Sequence, residues 1–146
     1  MKILFFSHQY PPAIGGVENH AFQLYTGLSQ QHEVIPLIYD NQEGRFTFFR
    51  KLEQRIKKKL IQHPDIDLIY VNEGLLAGLV AKIKKWTSVK IVATVHGLDV
   101  VFPNRMYQYF IYRRLNRLDG LIAVSEATKN ACLQRGIGEN KIKLNS

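Results

Sequence analysis

The amino-acid sequence predicts an α/β fold, in which a mostly parallel sheet of about six strands has helices on both faces. Short apolar runs alternate along the chain with segments whose apolar residues recur at helical spacing. The first run, from Lys2 to Ser7, is apolar on both faces. This is typical of a strand covered on each side and not of an exposed antiparallel edge. Right-handed connections between such units give a three-layer, Rossmann-like arrangement.

The first half of the chain predicts three strands and two helices. Pro11 and Pro12 predict an extended segment after the first strand. A proline breaks the interior of a helix and also disfavours the helical conformation of the residue that precedes it. The second helix is crowded with Arg and Lys around a single apolar stripe. That stripe consists of Phe46, Phe49, Leu52, Ile56 and Leu60. In chain order, the predicted elements are strand 2–7, loop 8–14, helix 16–31, strand 34–39, turn 40–44, the basic helix that carries 45–60 and strand 67–71.

The second half of the chain predicts three more strands alternating with helices. The run that ends at Val95 is rich in β-branched residues, which favour strands. Pro103 is suited to the first turn of a helix. Ser125 is a good N-cap for the last helix, which Gly136 ends. The predicted elements are helix 75–83, strand 89–95, helix 103–118, strand 119–124, helix 125–136 and strand 141–144.

Length and composition indicate one self-sufficient domain. The chain has 146 residues, of which 46% are apolar, and a domain of about 150 residues buries roughly two-thirds of its unfolded surface. The single cysteine, Cys132, excludes an internal disulfide and agrees with a reducing compartment. No apolar run approaches the roughly 20 residues that span a bilayer, and the stretch from Ile3 to Phe6 is too short for a signal peptide. We therefore predict a cytoplasmic protein.

The net charge of +8 predicts an anionic partner. Nucleic acid, anionic lipid and a phosphorylated substrate all fit that charge, but the sequence contains no recognised nucleic-acid-binding motif, so we expect no nucleic acid. Phe48 and Phe49 beside clustered Lys and Arg are typical of a helix that lies on anionic lipid, although a solvated helix face has the same composition. The same chemistry recurs at Tyr107, Tyr109, Phe110 and Tyr112 with Arg113, Arg114 and Arg117.

Two adjacent glycines lie between the first strand and the first helix. Gly15 and Gly16 lack a Cβ, so an anion could approach the backbone, where the free N–H groups and the dipole of the helix favour phosphate. A plain structural turn remains the alternative. The dinucleotide fingerprint G-x-G-x-x-G is absent, which argues against a dinucleotide-dependent dehydrogenase. The sequence contains no cluster of His, Cys and Asp residues with the spacing of metal ligands, so no bound metal is expected.

Four segments of the chain form a recognisable series. The first loop and helix contain Gln9-Tyr10-Pro11-Pro12 and Gly15-Gly16-Val17-Glu18, with His32-Glu33-Val34 further on. Val95-His96-Gly97-Leu98-Asp99 follows a central strand, 121–128 makes a strand-to-helix turn, and 138–145 closes the chain. In this order the segments resemble the N-terminal domain of the GT4-type family of retaining glycosyltransferases, which have the GT-B fold. The resemblance covers essentially the full chain.

The resemblance implies an enzyme with two Rossmann-like domains that face each other across a cleft. Residues 1–146 would be the N-terminal, acceptor-side domain. The C-terminal domain, which binds most of the nucleotide sugar and carries an acidic E-x7-E motif, would be missing from this chain and would be its main partner. The implied reaction moves a hexose from a nucleoside-diphosphate sugar to a glycan or lipid-linked acceptor with retention, and needs no metal or other cofactor. The isolated chain is then expected to be inactive.

The resemblance also assigns roles to single residues. Gly15 and Gly16 would bring backbone N–H groups to the donor diphosphate and stabilise charge on the leaving group. His96 would orient the reacting centre beside the donor sugar and acceptor; a histidine that simply closes a strand is the alternative. The candidate acceptor-binding residues are Tyr10, Glu18, Asn72, Asp99 and Ser125. For Ser125, an N-cap role is an equal alternative.

Membrane-associated members of the family modify lipid-linked or cell-surface glycans. Together with the basic segments, this implies a peripheral position on the inner face of the cytoplasmic membrane. Two other functions stay open. A nucleotide-sugar 2-epimerase would need several acidic residues in the cleft, and this chain supplies few. A non-enzymatic basic binding module would explain the charge without any transfer reaction.

Overall fold

The computed structural model describes residues 1–7, 16–38, 47, 50–72, 80–85, 87–95, 113–134 and 136–144. The described strands are β1 (Lys2–Ser7), β2 (Glu33–Ile38), β3 (Leu68–Val71), β4 (Lys90–Val95), β5 (Gly120–Ala123) and β6 (Ile142–Leu144). They form a parallel sheet in the order β2-β1-β3-β4-β5-β6. Each strand lies within one residue of its predicted range at either end, so the predicted α/β fold is confirmed.

The described α-helices are α1 (Gly16–Gln31), α2 (Leu52–Gln62) and α3 (Glu126–Gln134). α1 has its predicted bounds, and α3 follows Ser125 as predicted. The predicted helix 75–83 differs, because its described end, Ala81–Lys85, is a 3₁₀ helix; the last turn of a helix commonly tightens in this way. The predictions for loop 8–14, turn 40–44 and positions 103–112 lie outside the described residues.

The two edges of the sheet are formed by β2 and β6. β2 pairs with β1 in register from Lys2 opposite Glu33 to Ser7 opposite Ile38, and it contains Pro36. Proline has no N–H to donate, so it is confined to edge strands and bulges within sheets. β6, at the other edge, has three residues and pairs with β5 through Ile142 opposite Leu121.

The chain divides into two compact units, residues 1–69 and 70–146. In the first unit, Phe5 is fully buried and packs edge-to-face against Tyr25, with ring centroids 5.7 Å apart. β1 is buried from Ile3 to Ser7, which confirms the prediction of a strand covered on both faces. In the second unit the fully buried side chains include Ile83, Ile91, Val95, Leu115, Ala123 and Cys132.

One hydrogen-bonding arrangement holds the amino end of a strand in each unit. In the first, the N–H of Lys2 donates to Oδ2 of Asp67 at 2.9 Å, and the N–H of Asp67 donates to the carbonyl of Lys2 at 2.8 Å. In the second, the N–H of Ile91 donates to Oδ2 of Asp119 at 2.8 Å, and the N–H of Asp119 donates to the carbonyl of Ile91 at 2.9 Å. Each aspartate directly precedes a strand, β3 or β5. Its carboxylate therefore satisfies a backbone N–H near the start of the adjacent strand.

Candidate active site

The carboxyl ends of β4 and β5 lie side by side in the second unit. Val95, the last residue of β4, pairs with Ala123, the last residue of β5. The N–H of Val124 also donates to the carbonyl of Val95 at 3.4 Å. The chain therefore leaves both strands at one edge, the edge at which open α/β sheets bind ligands. His96 follows Val95 in the chain and itself lies outside the described residues.

Ser125 lies two residues beyond β5 and caps α3. Its Oγ accepts a hydrogen bond from the N–H of Thr128 at 3.2 Å and shares a second one with the Thr128 hydroxyl at 3.0 Å. The N-cap prediction is therefore confirmed, since a serine oxygen here satisfies one of the N–H groups that a helix start leaves open. Ser125 is exposed while Thr128 is buried. An exposed residue with an engaged hydroxyl can still offer a lone pair to a ligand.

A buried polar contact joins β3 and β4 near the same edge. The hydroxyls of Tyr70 and Thr94 share a hydrogen bond, and both side chains are buried. Burial raises the pKa of Tyr70, and the bond to Thr94 opposes that rise. Asn72 directly follows β3 and is also fully buried. Sequence reasoning named Asn72 but missed Tyr70 and Thr94; the available signal was one hydroxyl next to the last residue of each apolar strand.

In the first unit, α1 is the helix that follows β1 in the chain. α1 begins at Gly16, and Glu18 lies in its first turn. The first N–H groups of a helix have no partner within the helix, so this position is suited to an anion. Three other predicted site residues, Tyr10, Gly15 and Asp99, lie outside the described residues.

An open depression of about 680 Å³ lies at the amino ends of the strands in the first unit. Its lining includes Lys2, His32, Glu33 and Asp65. The Nζ of Lys2 lies 2.9 Å from Oδ1 of Asp65 and 3.6 Å from Glu33. The hydrogen bond from Lys2 is the main cause that lowers the pKa of Asp65. The charged side chains that line this depression largely pair with one another, and open α/β sheets bind ligands at the opposite edge. We therefore assign the depression no catalytic role.

The described ranges contain no group of three or more His, Cys, Asp or Glu side chains that could hold a metal ion. None of the helices described is long and apolar enough to cross a membrane.

The chain is similar in fold to several solved structures. HepE from Anabaena, in complex with UDP and glucose, has a TM-score of 0.64 at 23% identity, with 99% of this chain and 43% of HepE covered. A second HepE structure, in complex with UDP, has a TM-score of 0.62 at 21% identity over the same shares. The lipopolysaccharide outer core galactosyltransferase WaaB, in its apo form, has a TM-score of 0.58 at 15% identity, with 98% of this chain and 44% of WaaB covered. This chain thus spans less than half the length of those chains.

No curated protein sequence matches the chain. The family model of Glycosyltransferase Family 4, in contrast, matches residues 35–144, from β2 to the end of β6. The matched range contains the segments 95–99 and 121–128 on which the resemblance partly rests, and begins after the Gly15-Gly16 loop. The chain therefore belongs to glycosyltransferase family 4.

Proposed function

We propose that this chain is the N-terminal, acceptor-side domain of a retaining glycosyltransferase with the GT-B fold. It would take part in transferring a hexose from a nucleoside-diphosphate sugar to a glycan or lipid-linked acceptor. The family match over residues 35–144 is the observation that carries the proposal. The presence of UDP and glucose in the HepE structure supports a nucleotide sugar as the donor.

The proposal gives different roles to two domains, because this chain covers less than half the length of its structural relatives. The chain aligns over 99% of its own length with 43% of HepE, which supports a second domain as its partner. In this proposal the second domain binds most of the donor, and residues 1–146 bind the acceptor and complete the donor site. Binding energy spent on positioning two substrates lowers the barrier by making the reaction effectively unimolecular.

The donor diphosphate would lie at the start of α1. Gly15 and Gly16 would offer backbone N–H groups to it, and the start of α1 at Gly16 supports this role because those groups have no helical partner. Hydrogen bonds and the helix dipole would favour the charge that grows on the leaving diphosphate as the glycosidic bond breaks.

His96 would orient the donor sugar against the acceptor. The pairing of Val95 with Ala123 supports this role, because His96 directly follows Val95 in the chain and Ser125 lies two residues beyond Ala123. In the proposed front-face reaction the leaving phosphate takes the acceptor proton, so His96 acts as a positioning residue and no metal takes part. The acceptor would contact residues drawn from Tyr10, Glu18, Asn72, Asp99 and Ser125.

The same enzyme would work as a peripheral protein on the inner face of the cytoplasmic membrane. The net charge of +8 supports an anionic surface as its partner. A lipid-linked acceptor would then be presented in the plane of that surface. Nucleic acid is not part of the proposal.

The test is donor hydrolysis and transfer with a panel of UDP- and GDP-sugars, measured on residues 1–146 and on the longest product that the gene encodes. We expect sugar release only where the second domain is present, and loss of it in a His96→Ala variant. Turnover by residues 1–146 alone would contradict the division of labour. Neither binding nor turnover of any donor by the longest product would contradict the transferase and favour a basic binding module.

A further inference from the structure

Two buried hydroxyl groups lie next to the carboxyl ends of β3 and β4. Tyr70 is the second-to-last residue of β3, and Thr94 is the second-to-last residue of β4. Their hydroxyls share a hydrogen bond, and both side chains are buried. The other buried side chains of these two strands are all apolar: Ile69, Val71, Ile91, Ala93 and Val95. The two polar members of this apolar pair of strands thus meet where the strands end.

Close packing of β3 and β4 does not require either hydroxyl. Phenylalanine has the shape of tyrosine without its hydroxyl, and valine has nearly the shape of threonine. Replacing both partners of a buried hydrogen bond with apolar groups of the same shape is nearly neutral for stability. A buried polar pair is satisfied only in the arrangement that makes its hydrogen bond, so it specifies that arrangement. The bond between Tyr70 and Thr94 is therefore better suited to fixing a geometry than to stabilising the fold.

The end of β4 is held from two sides. On one side, the Tyr70 hydroxyl of β3 bonds to Thr94. On the other side, the N–H of Val124, which directly follows β5, donates to the carbonyl of Val95 at 3.4 Å. Thr94 and Val95 are the last two residues of β4. The place at which the chain leaves β4 is thus fixed by one side-chain bond and one backbone bond.

The residues that follow the two strands are candidate site residues. Asn72 directly follows β3 and is fully buried. His96 directly follows β4 in the chain. A bond that joins the ends of β3 and β4 therefore acts on the two points from which Asn72 and His96 are carried.

We propose that Tyr70 is a positioning residue of the transferase: through Thr94 it fixes the end of β4 against the end of β3, and so fixes His96 relative to Asn72. This assignment rests on the function proposed above, in which His96 orients the donor sugar and Asn72 is a candidate contact to the acceptor. Neither hydroxyl touches a substrate in this role. A displacement of about 1 Å in a positioned group can slow a reaction by about a hundredfold.

The first test compares two rates in the longest product that the gene encodes. Hydrolysis of a UDP- or GDP-sugar from the panel above needs the donor and water, whereas transfer to octyl glucoside also needs an oriented acceptor. Tyr70→Phe combined with Thr94→Val should lower the ratio of transfer to hydrolysis by roughly tenfold. Thr94→Ser retains a hydroxyl and should keep the ratio within about twofold of the unmodified enzyme. Partial unfolding would lower both rates equally, so it would leave the ratio unchanged.

Ile91→Val is the matched control for a loss of packing in the same strand. Ile91 is fully buried and lies three residues before Thr94, at a distance of about 10 Å along the strand. Its truncation removes one buried methyl group and lowers stability, but the ratio of transfer to hydrolysis should change by less than about twofold. A ratio that falls as far in Ile91→Val as in the double variant would show that it follows stability, and would overturn the proposal.

Hydrogen exchange in residues 1–146 tests the strand ends without any substrate. In the double variant the Val124 amide, which donates to Val95, should exchange about fivefold faster, because one bond that holds the end of β4 is missing. The Ile91 amide donates to Asp119 near the other end of β4, and its exchange rate should change by less than about twofold. Unchanged exchange at Val124 would overturn the proposal.

The outcomes separate the positioning role from the transferase itself. Transfer and hydrolysis that fall together in the double variant would leave the transferase standing and overturn the role of Tyr70. If the unmodified enzyme hydrolyses no donor of the panel, the transferase is contradicted and the role of Tyr70 in its reaction is contradicted with it. If octyl glucoside is not an acceptor, exchange at Val124 decides: a rate about fivefold faster supports the role, and an unchanged rate overturns it.

Discussion

Asp119 and Ile91 exchange two hydrogen bonds, one from each backbone N–H, so the start of β5 is fastened to β4 by a side chain as well as by the backbone. The carboxylate that receives the Ile91 N–H also lies 2.9 Å from Nζ of Lys84. Asp67 repeats the first part of this arrangement with Lys2 in the other unit. Two of the parallel strands are therefore directly preceded by an aspartate that completes the hydrogen bonding of a neighbouring strand.

Replacing Asp119 with Ala should destabilise the second unit by about 1–2 kcal/mol, because the N–H of Ile91 loses its acceptor. Urea unfolding would measure the loss, and hydrogen exchange at the Ile91 amide should accelerate. Asp65→Ala is the matched control. It removes an ion pair of the same length, 2.9 Å, but no hydrogen bond from the N–H of a described strand residue. Its effect should be smaller, and an equal effect would contradict the role given to the Ile91 bond.

The contribution of Asp119 should depend on pH. Burial alone would raise its pKa, but the hydrogen bonds from Lys84 and from the Ile91 N–H outweigh burial and hold the pKa below the ordinary 3.8. A lowered folded-state pKa stabilises the protein above the unfolded-state pKa, and this stabilisation is lost as pH falls through the folded-state pKa. The free-energy difference between the unmodified chain and Asp119→Asn should therefore narrow between about pH 5 and pH 2. A difference that widens on acidification would show that the pKa is raised.

The Tyr70–Thr94 contact predicts non-additive mutations. Tyr70→Phe or Thr94→Val alone should each cost about 1–2 kcal/mol, because a buried hydroxyl is left without this bond. The double variant should cost less than the sum of the two, since both hydroxyls are then absent. A double-mutant cycle by urea unfolding measures the coupling. Strict additivity would mean that the two hydroxyls do not depend on each other.

Ser125→Ala should remove the cap of α3 and cost about 1 kcal/mol, whereas Ser125→Asp should retain it. Stability, measured on residues 1–146, and acceptor KM, measured on the longest product that the gene encodes with the same substitutions, separate the two roles of this residue. If only the cap matters, acceptor KM should be normal in Ser125→Asp. A raised KM in a stable Ser125→Asp variant would instead support an acceptor contact.

Truncating a buried and an exposed isoleucine of α2 should change the free energy of unfolding by very different amounts. Ile56→Ala empties a fully buried site and should cost about 2–5 kcal/mol. Ile61→Ala, at an exposed position of the same helix, should change the free energy of unfolding by less than about 0.5 kcal/mol. Thermal or urea unfolding of the pair makes the comparison. A large loss on Ile61→Ala would mean that this side chain packs against the protein and would contradict its exposure.

The strands and α1 were predictable because their signals are local. The apolar run that forms β1 and the prolines that follow it set boundaries which the structure reproduces at Ser7 and Gly16. The cap at Ser125 is also local, because it needs only a hydroxyl three residues before an N–H. In the basic segment, the stripe correctly identified Leu52 and Ile56 as buried.

The carboxylate bonds were not predictable, because they depend on partners far along the chain. Sequence reading placed Asp67 and Asp119 inside their strands, whereas each directly precedes one and bonds to a residue of another strand. Asp119 and Ile91 are 28 positions apart, and only the register of β4 with β5 brings them together. The exposure of Ile61 was not predictable for a related reason. An apolar residue off the expected stripe looks neutral until the packing of the helix is known.

Pro36 has a consequence for how this chain behaves beside other copies of itself. The outer side of an edge strand can recruit a strand from another molecule and so begin aggregation. Pro36 removes one N–H from β2, and β6 is only three residues long with an exposed Lys143 in its middle. Both borders of the sheet are thus poor templates for an incoming strand, which should help a cationic chain remain dispersed at the concentrations that hydrogen-exchange and donor assays require.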